Sequence, residues 1–134
     1  MNTKELIREA ISAMYRAYTP YSNFKVGAAL LTKSGKIYQG CNIENAAYSP
    51  TNCAERTAFF RAVYEGEREF EAICIVGGKD GVITDYAMPC GACRQVMYEF
   101  QGDTEIEIIT EEKGNLNIKK MSDFLPYGFK IQGA

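Results

Sequence analysis

The 134-residue chain contains no histidine. That removes the commonest general base and the commonest nitrogen ligand of zinc, so any chemistry must run on carboxylates, thiolates or a metal held by them. A long apolar run is also missing, and Met1-Asn2-Thr3-Lys4-Glu5 lacks the apolar segment of a signal peptide. No membrane partner is therefore expected, and a cytoplasmic location is. Positive charge is not in excess: 15 Lys and Arg face 17 Asp and Glu, for a net charge of −2, and the cations are scattered. That leaves no electrostatic footprint for a nucleic-acid partner. The five cysteines are odd in number. Without a secretory signal they argue against a disulfide framework and for reduced thiols: buried apolar residues, redox groups or metal ligands.

What remains is ordinary for a globular protein with a real core, and the length predicts one domain over residues 1–134. Asn2, with Glu5 three residues on, predicts a capping box at the start of a helix. Ile7, Ala10, Ile11, Met14, Ala17 and Tyr18 keep three/four spacing as its apolar stripe. Strands are predicted over 24–31 and 36–43, joined by the Ser34-Gly35 turn. After a polar loop from Glu44 to Asn52, a helix is expected from Cys53 to Glu65, stopped by Gly66, with Ala58, Phe59, Ala62 and Val63 inward. The nearly continuous apolar stretch 71–77 reads as a strand in the middle of a sheet covered on both faces. A third helix follows Pro89 through Phe100, and 105–110 is the next strand. The connection 111–115 is too short for a crossover helix, so the strand 116–119 should return antiparallel. Ser122 is expected to cap a last helical turn. The predicted fold class is α/β: a three-layer α/β/α sandwich on a mixed five-stranded sheet, its last two strands antiparallel.

Chemistry concentrates at two predicted helix starts, Asn52-Cys53-Ala54-Glu55-Arg56 and Pro89-Cys90-Gly91-Ala92-Cys93-Arg94. Glu55 stands in line with the buried stripe of its helix, where an unpaired charge is costly. Yet Asn52-x-x-Glu55 is also a legitimate capping box, which would explain the same residues structurally. Cys90 and Cys93 alone could be a redox pair, half of a structural zinc site or a catalytic pair. A structural site would need a fourth ligand, Cys41, Cys74 or a carboxylate, and Cys41 is a better choice than Cys74, a mid-strand core residue. The combination of Cys53, Cys90 and Cys93 supplies three thiolates and leaves the fourth tetrahedral position for water, which is how a catalytic zinc site is built.

Cys53-Ala54-Glu55, Pro89-Cys90-Gly91-Ala92-Cys93-Arg94-Gln95 and Cys41-Asn42-Ile43-Glu44-Asn45-Ala46 together resemble the small homotetrameric zinc-dependent cytidine deaminases over roughly residues 5–129. Zinc deaminases as a class place Glu two residues after the first ligand, ahead of Pro-Cys-x-x-Cys. The resemblance implies a cytidine-deaminase fold and one Zn²⁺ per subunit. It also implies hydrolysis of free cytidine and deoxycytidine, a reaction of pyrimidine salvage, with Glu55 as the catalytic proton shuttle. By position, Phe24 resembles the residue that packs on the pyrimidine, Asn42 and Glu44 those that bind the ribose hydroxyls, and Ala54 a reader of the base edge. Ala46, Tyr48 and Phe129 resemble residues that reach a neighbouring subunit's site in a homotetramer.

Three thiolates around Zn²⁺ leave a net charge of about −1, which should make a bound water less acidic. Arg56, beside Cys53 and Glu55, is the expected charge compensator, helped by the positive ends of two helices. The rival expectations are a deaminase of another free aminonucleoside of the blasticidin S type and a structural zinc module with a filled fourth position.

Overall fold

A computed structural model describes residues 1–83, 87–112 and 114–131. In chain order the elements are α1 (Thr3–Met14), β1 (Phe24–Thr32), β2 (Ile37–Cys41), α2 (Ala54–Tyr64), β3 (Phe70–Lys79), α3 (Gly91–Glu99), β4 (Glu107–Glu112), β5 (Asn115–Lys120) and α4 (Met121–Phe124). The strands form one sheet in the order β2-β1-β3-β4-β5. Among the described strands β3 and β4 run parallel, joined through α3, and the other sheet neighbours are antiparallel. A parallel pair needs such a crossover, whereas the short β4–β5 link forces the chain back on itself.

Period-two alternation in the strands divides the interior into two layers. On one face, Leu6, Ala10 and Met14 of α1 pack on Ala29, Cys74 and Val76. On the other, Ala58 and Phe59 of α2 and Met97 of α3 pack on Leu30, Ile73 and Ile75. The central strand β3 is buried on both sides, which is why its sequence reads as an unbroken apolar run. Three layers are thus present, as the sequence predicts. Among the described residues no helix is long and apolar enough to cross a membrane.

Two glycines set how closely the helices lie. A Cβ at Gly27 would stand 2.1 Å from the Ala10 carbonyl oxygen of α1. At Gly40 it would stand 2.3 Å from the Ala54 carbonyl oxygen, in the first turn of α2. Gly40 therefore lets the residues that follow Cys53 rest directly on β2.

Several boundaries differ from expectation for tertiary reasons. Asn2 does cap α1, its side chain accepting from the Glu5 N–H at 3.1 Å. The helix stops at Met14, however, and its fully buried positions are Leu6, Ala10, Ala13 and Met14. Tyr18 leaves the helical path because its N–H donates to the Asn42 carbonyl and its own carbonyl accepts from Glu44. Strand β2 ends at Cys41, with Ile43 making isolated bridges to Tyr18 and Asn52. That bridge engages both the N–H and C=O of Asn52. It holds Asn52 extended, so the cap position of α2 falls on Cys53. The predicted Asn52 cap is not formed; its side-chain amide donates to Thr57 Oγ1 at 3.0 Å instead. Likewise α4 begins at Met121, and Ser122 lies inside it rather than capping it.

Overpacking against backbone costs about 1–3 kcal/mol. Gly27→Ala should lower the melting temperature and leave the metal content unchanged. Gly40→Ala, which displaces the first turn of α2, should lower both. Thermal unfolding with metal analysis of the two purified variants checks the difference.

Candidate active site

Cys53 and Cys90 occupy equivalent places, each extended and each at the N-cap of a helix, α2 and α3 respectively. Cys93 sits one turn into α3 and is fully buried. The fold brings the two helix starts together, with the Cys53 and Cys90 sulfurs 3.9 Å apart and those of Cys90 and Cys93 3.5 Å apart. All three sulfurs lie within 4.8 Å of one another. Tetrahedral zinc with sulfurs about 2.3 Å away requires S–S separations of about 3.8 Å, so these residues fit the ion. Among the described residues the cluster contains no fourth Cys, Asp or Glu ligand. Cys41 stands outside it, and Cys74 is a buried core thiol that desolvation pushes up to about 12. The donor set is three thiolates with one coordination position left over.

The electrostatics favour an anionic sulfur at Cys53. Hydrogen bonding with Cys93 is the largest cause holding its thiol down at about 5, and Arg56 adds to it against the cost of desolvation. Cys93, which shares the proton, is correspondingly raised. Zinc binding removes the protons that remain. Arg56 Nη2 donates to Cys53 Sγ at 3.1 Å, the contact expected of a charge compensator. The first-turn amides of α2 and α3 add two positive dipole ends at the same place.

Glu55 is 4% exposed. Burial raises its carboxyl to about 7, and the negative charge on Cys53 pushes the same way. A carboxyl poised near neutrality can both take and give a proton, which an ordinary surface glutamate cannot do efficiently. Its position follows from the helix: Glu55, Ala58, Phe59 and Ala62 share one buried stripe.

Beside the sulfurs opens a cavity of about 410 Å³, a size suited to a small organic molecule. Phe24, Asn42, Ala54 and Glu55 line it together with Cys53 and Cys90. The remaining expected binding residues lie elsewhere. Glu44 faces an adjoining hollow shared with Tyr48, and the two spaces meet at Thr51. Ala46, Tyr48 and Phe129 are exposed and do not line the cavity of their own chain, Tyr48 at 77% and Phe129 at 72%.

Val26, Thr51, Ala87 and Met88 also line the cavity and are absent from the sequence expectation. Val26 could have been found from strand parity, being two residues from Phe24 on the same face. Met88 adjoins the Pro89-Cys90 motif, but nothing local points to Thr51. Arg94 is a second addition. It donates to the carbonyls of Pro89 and Phe124, each at 2.9 Å, and its guanidinium lies 5.1 Å from the Phe124 ring centre. It thereby braces the start of α3 against α4.

Comparison with known proteins gives a consistent picture. Residues 1–109 match the family model described as the cytidine and deoxycytidylate deaminase zinc-binding region. The chain is 49% identical to a cytidine deaminase of Sporosarcina psychrophila over 96% of its own length and 92% of the relative's. It is 47% identical to that of Halalkalibacterium halodurans over 98% and 97%. The crystal structure of cytidine deaminase from Burkholderia pseudomallei superposes with a TM-score of 0.87 at 47% identity, covering 96% of this chain and 100% of that one. The Mycobacterium tuberculosis enzyme gives 0.82 at 34%, covering 98% and 99%.

Cys90→Ala should abolish stoichiometric zinc binding. Cys41→Ala, a thiol outside the cluster, should retain it. Zinc analysis after exhaustive dialysis, with circular dichroism to verify folding, checks both.

Proposed function

The chain belongs to the cytidine deaminase family, and from that premise we propose that it hydrolyses cytidine and deoxycytidine to uridine and deoxyuridine, releasing ammonia. It is a zinc-dependent hydrolase acting on a free nucleoside. The observation that carries the reading is a buried carboxyl, Glu55, beside a three-thiolate site with an open position, both on the wall of one cavity. A closed structural zinc site would need a fourth protein ligand. No feature of the cavity favours a blasticidin-type substrate.

The roles of individual residues are part of the same proposal. Zinc, when held by Cys53, Cys90 and Cys93, supplies a Lewis acid that lowers the pKa of water. Glu55 would take a proton from the attacking water and deliver it to N3 of the pyrimidine. Protonation at N3 makes C4 electrophilic. After the oxygen adds at C4, Glu55 takes the proton of the new C4 hydroxyl and passes it to the exocyclic nitrogen, which departs as ammonia as the C4 carbonyl forms. Burial keeps bulk water from competing for these transfers, and the elevated carboxyl pKa matches the task. Arg56 offsets the excess negative charge of the thiolates through its bond to Cys53.

Phe24 is placed to lie against the base, and Ala54 to present its backbone, with Glu55, to the base edge. Both line the cavity, which supports the assignment. Asn42 and Glu44 are assigned to the ribose hydroxyls. Asn42 is already braced, its amide spanning the Phe24 carbonyl and the Val26 N–H at 2.8 and 2.9 Å. Ala46, Tyr48 and Phe129 are assigned to a neighbouring subunit's site in a homotetramer. Their exposure away from the chain's own cavity supports that division. Residues 1–134 are read as one deaminase domain, supported by a single sheet with helices on both faces.

Glu55→Ala should keep zinc and fold and lose at least about 10²–10⁴-fold in kcat. The fall in ultraviolet absorbance as cytidine is deaminated, followed beside deoxycytidine and blasticidin S, checks this and the substrate class together. Normal turnover in that variant contradicts the assignment.

A further inference from the structure

The segment between α1 and β1 carries a hydroxyl that links two substrate residues. Ser22 Oγ donates to Glu44 Oε2. The same oxygen accepts from the Phe24 N–H at 3.0 Å. The Phe24 carbonyl accepts from Asn42 Nδ2 at 2.8 Å. Both backbone polar groups of Phe24 are thus held by side chains, one from Asn42 and one that also grips Glu44.

Glu44 is correspondingly occupied. Its Oε1 accepts from the Tyr21 and Ser22 amides at 3.0 and 3.2 Å, filling both lone pairs of that oxygen. Its Oε2 takes the Ser22 hydroxyl, leaving one acceptor position for a sugar hydroxyl. The Ser22 bond is also the largest cause holding the Glu44 carboxyl below its ordinary value. Ser22 itself is exposed and belongs to neither core cluster. The bond therefore serves geometry at the substrate end of the molecule more than packing.

We propose that Ser22 is a positioning residue that fixes the Glu44 carboxylate and ties it to Phe24, so that sugar and base contacts are held in one register. This rests on the reading that Phe24 packs on the base and Glu44 accepts a ribose hydroxyl. The simpler role for Ser22 is a local turn, in which its hydroxyl only receives the N–H two residues on. The two roles differ in whether Ser22 acts through Glu44.

The experiment compares Ser22→Ala, Ser22→Thr, Glu44→Gln and the Ser22→Ala/Glu44→Gln double variant. KM and kcat are measured for cytidine and deoxycytidine, along with zinc content. Loss of a hydrogen bond to a charged group should raise KM roughly tenfold for Ser22→Ala, with kcat within about threefold and zinc retained, and Ser22→Thr should restore KM. In the Glu44→Gln background the added effect of Ser22→Ala should fall below about twofold, because coupled residues are not additive. An unchanged KM for Ser22→Ala while Glu44→Gln raises it overturns the positioning role and leaves the substrate reading standing. A tenfold rise that persists in the Glu44→Gln background also overturns it, in favour of the local turn. An unchanged KM for Glu44→Gln overturns the substrate reading beneath it.

Discussion

Everything at this site depends on holding three sulfurs within 4.8 Å of one another, a spacing at which thiolates repel. The fold does so by aiming two helix N-termini at one point. Cys53 and Cys90 are N-cap residues, so the unsatisfied first-turn amides of α2 and α3 face the sulfurs. Arg56 adds a full positive charge at 3.1 Å from Cys53. The role proposed for Arg56 is to offset the negative charge of the thiolates, which would otherwise leave a bound water poorly acidic.

The sheet explains why the helix starts coincide. Strand β3 enters α3 through the loop that carries Pro89, and the crossover to the parallel strand β4 places the start of α3 beyond the carboxyl end of β3. That is where open α/β sheets characteristically bind ligands. Phe24, the first residue of β1, pairs with Lys79 at that same end of β3. Helix α2, on the same face of the sheet as α3, reaches it because Gly40 allows its first turn to lie on β2. The carboxylate assigned to proton transfer and the three clustered sulfurs thus sit at helix starts, whereas the groups assigned to the sugar come from loops braced by backbone bridges. Such a division suits chemistry that tolerates little displacement at the reacting atoms.

The sequence was most informative where a requirement is local. The Cys-x-Glu and Pro-Cys-x-x-Cys spacings were readable because each falls within one helical turn, and the fold brings their three sulfurs together. The antiparallel return of β5 followed from the length of one connection. The β3 run announced its burial on both faces. What the sequence concealed was decided across the chain. Asn52 looks like a cap, but a bridge to Ile43 takes its backbone and leaves the cap to Cys53. The α1 periodicity suggested a stripe continuing to Tyr18, yet docking against the Asn42–Glu44 segment ends the helix four residues earlier. Ser22 and Thr51 carry no local signature, since their importance comes from partners or cavities assembled from distant segments.

The central claim is that an all-thiolate zinc site works here because Arg56 and two helix ends offset its charge. The most direct measurement is the pH dependence of kcat/KM for cytidine in the parent enzyme and in Arg56→Gln, with zinc content verified in both. Less compensated thiolates make the activated water less acidic, so the acid limb of the Arg56→Gln profile should move to higher pH and kcat should fall. Superimposable profiles and equal turnover at full zinc occupancy would contradict the account.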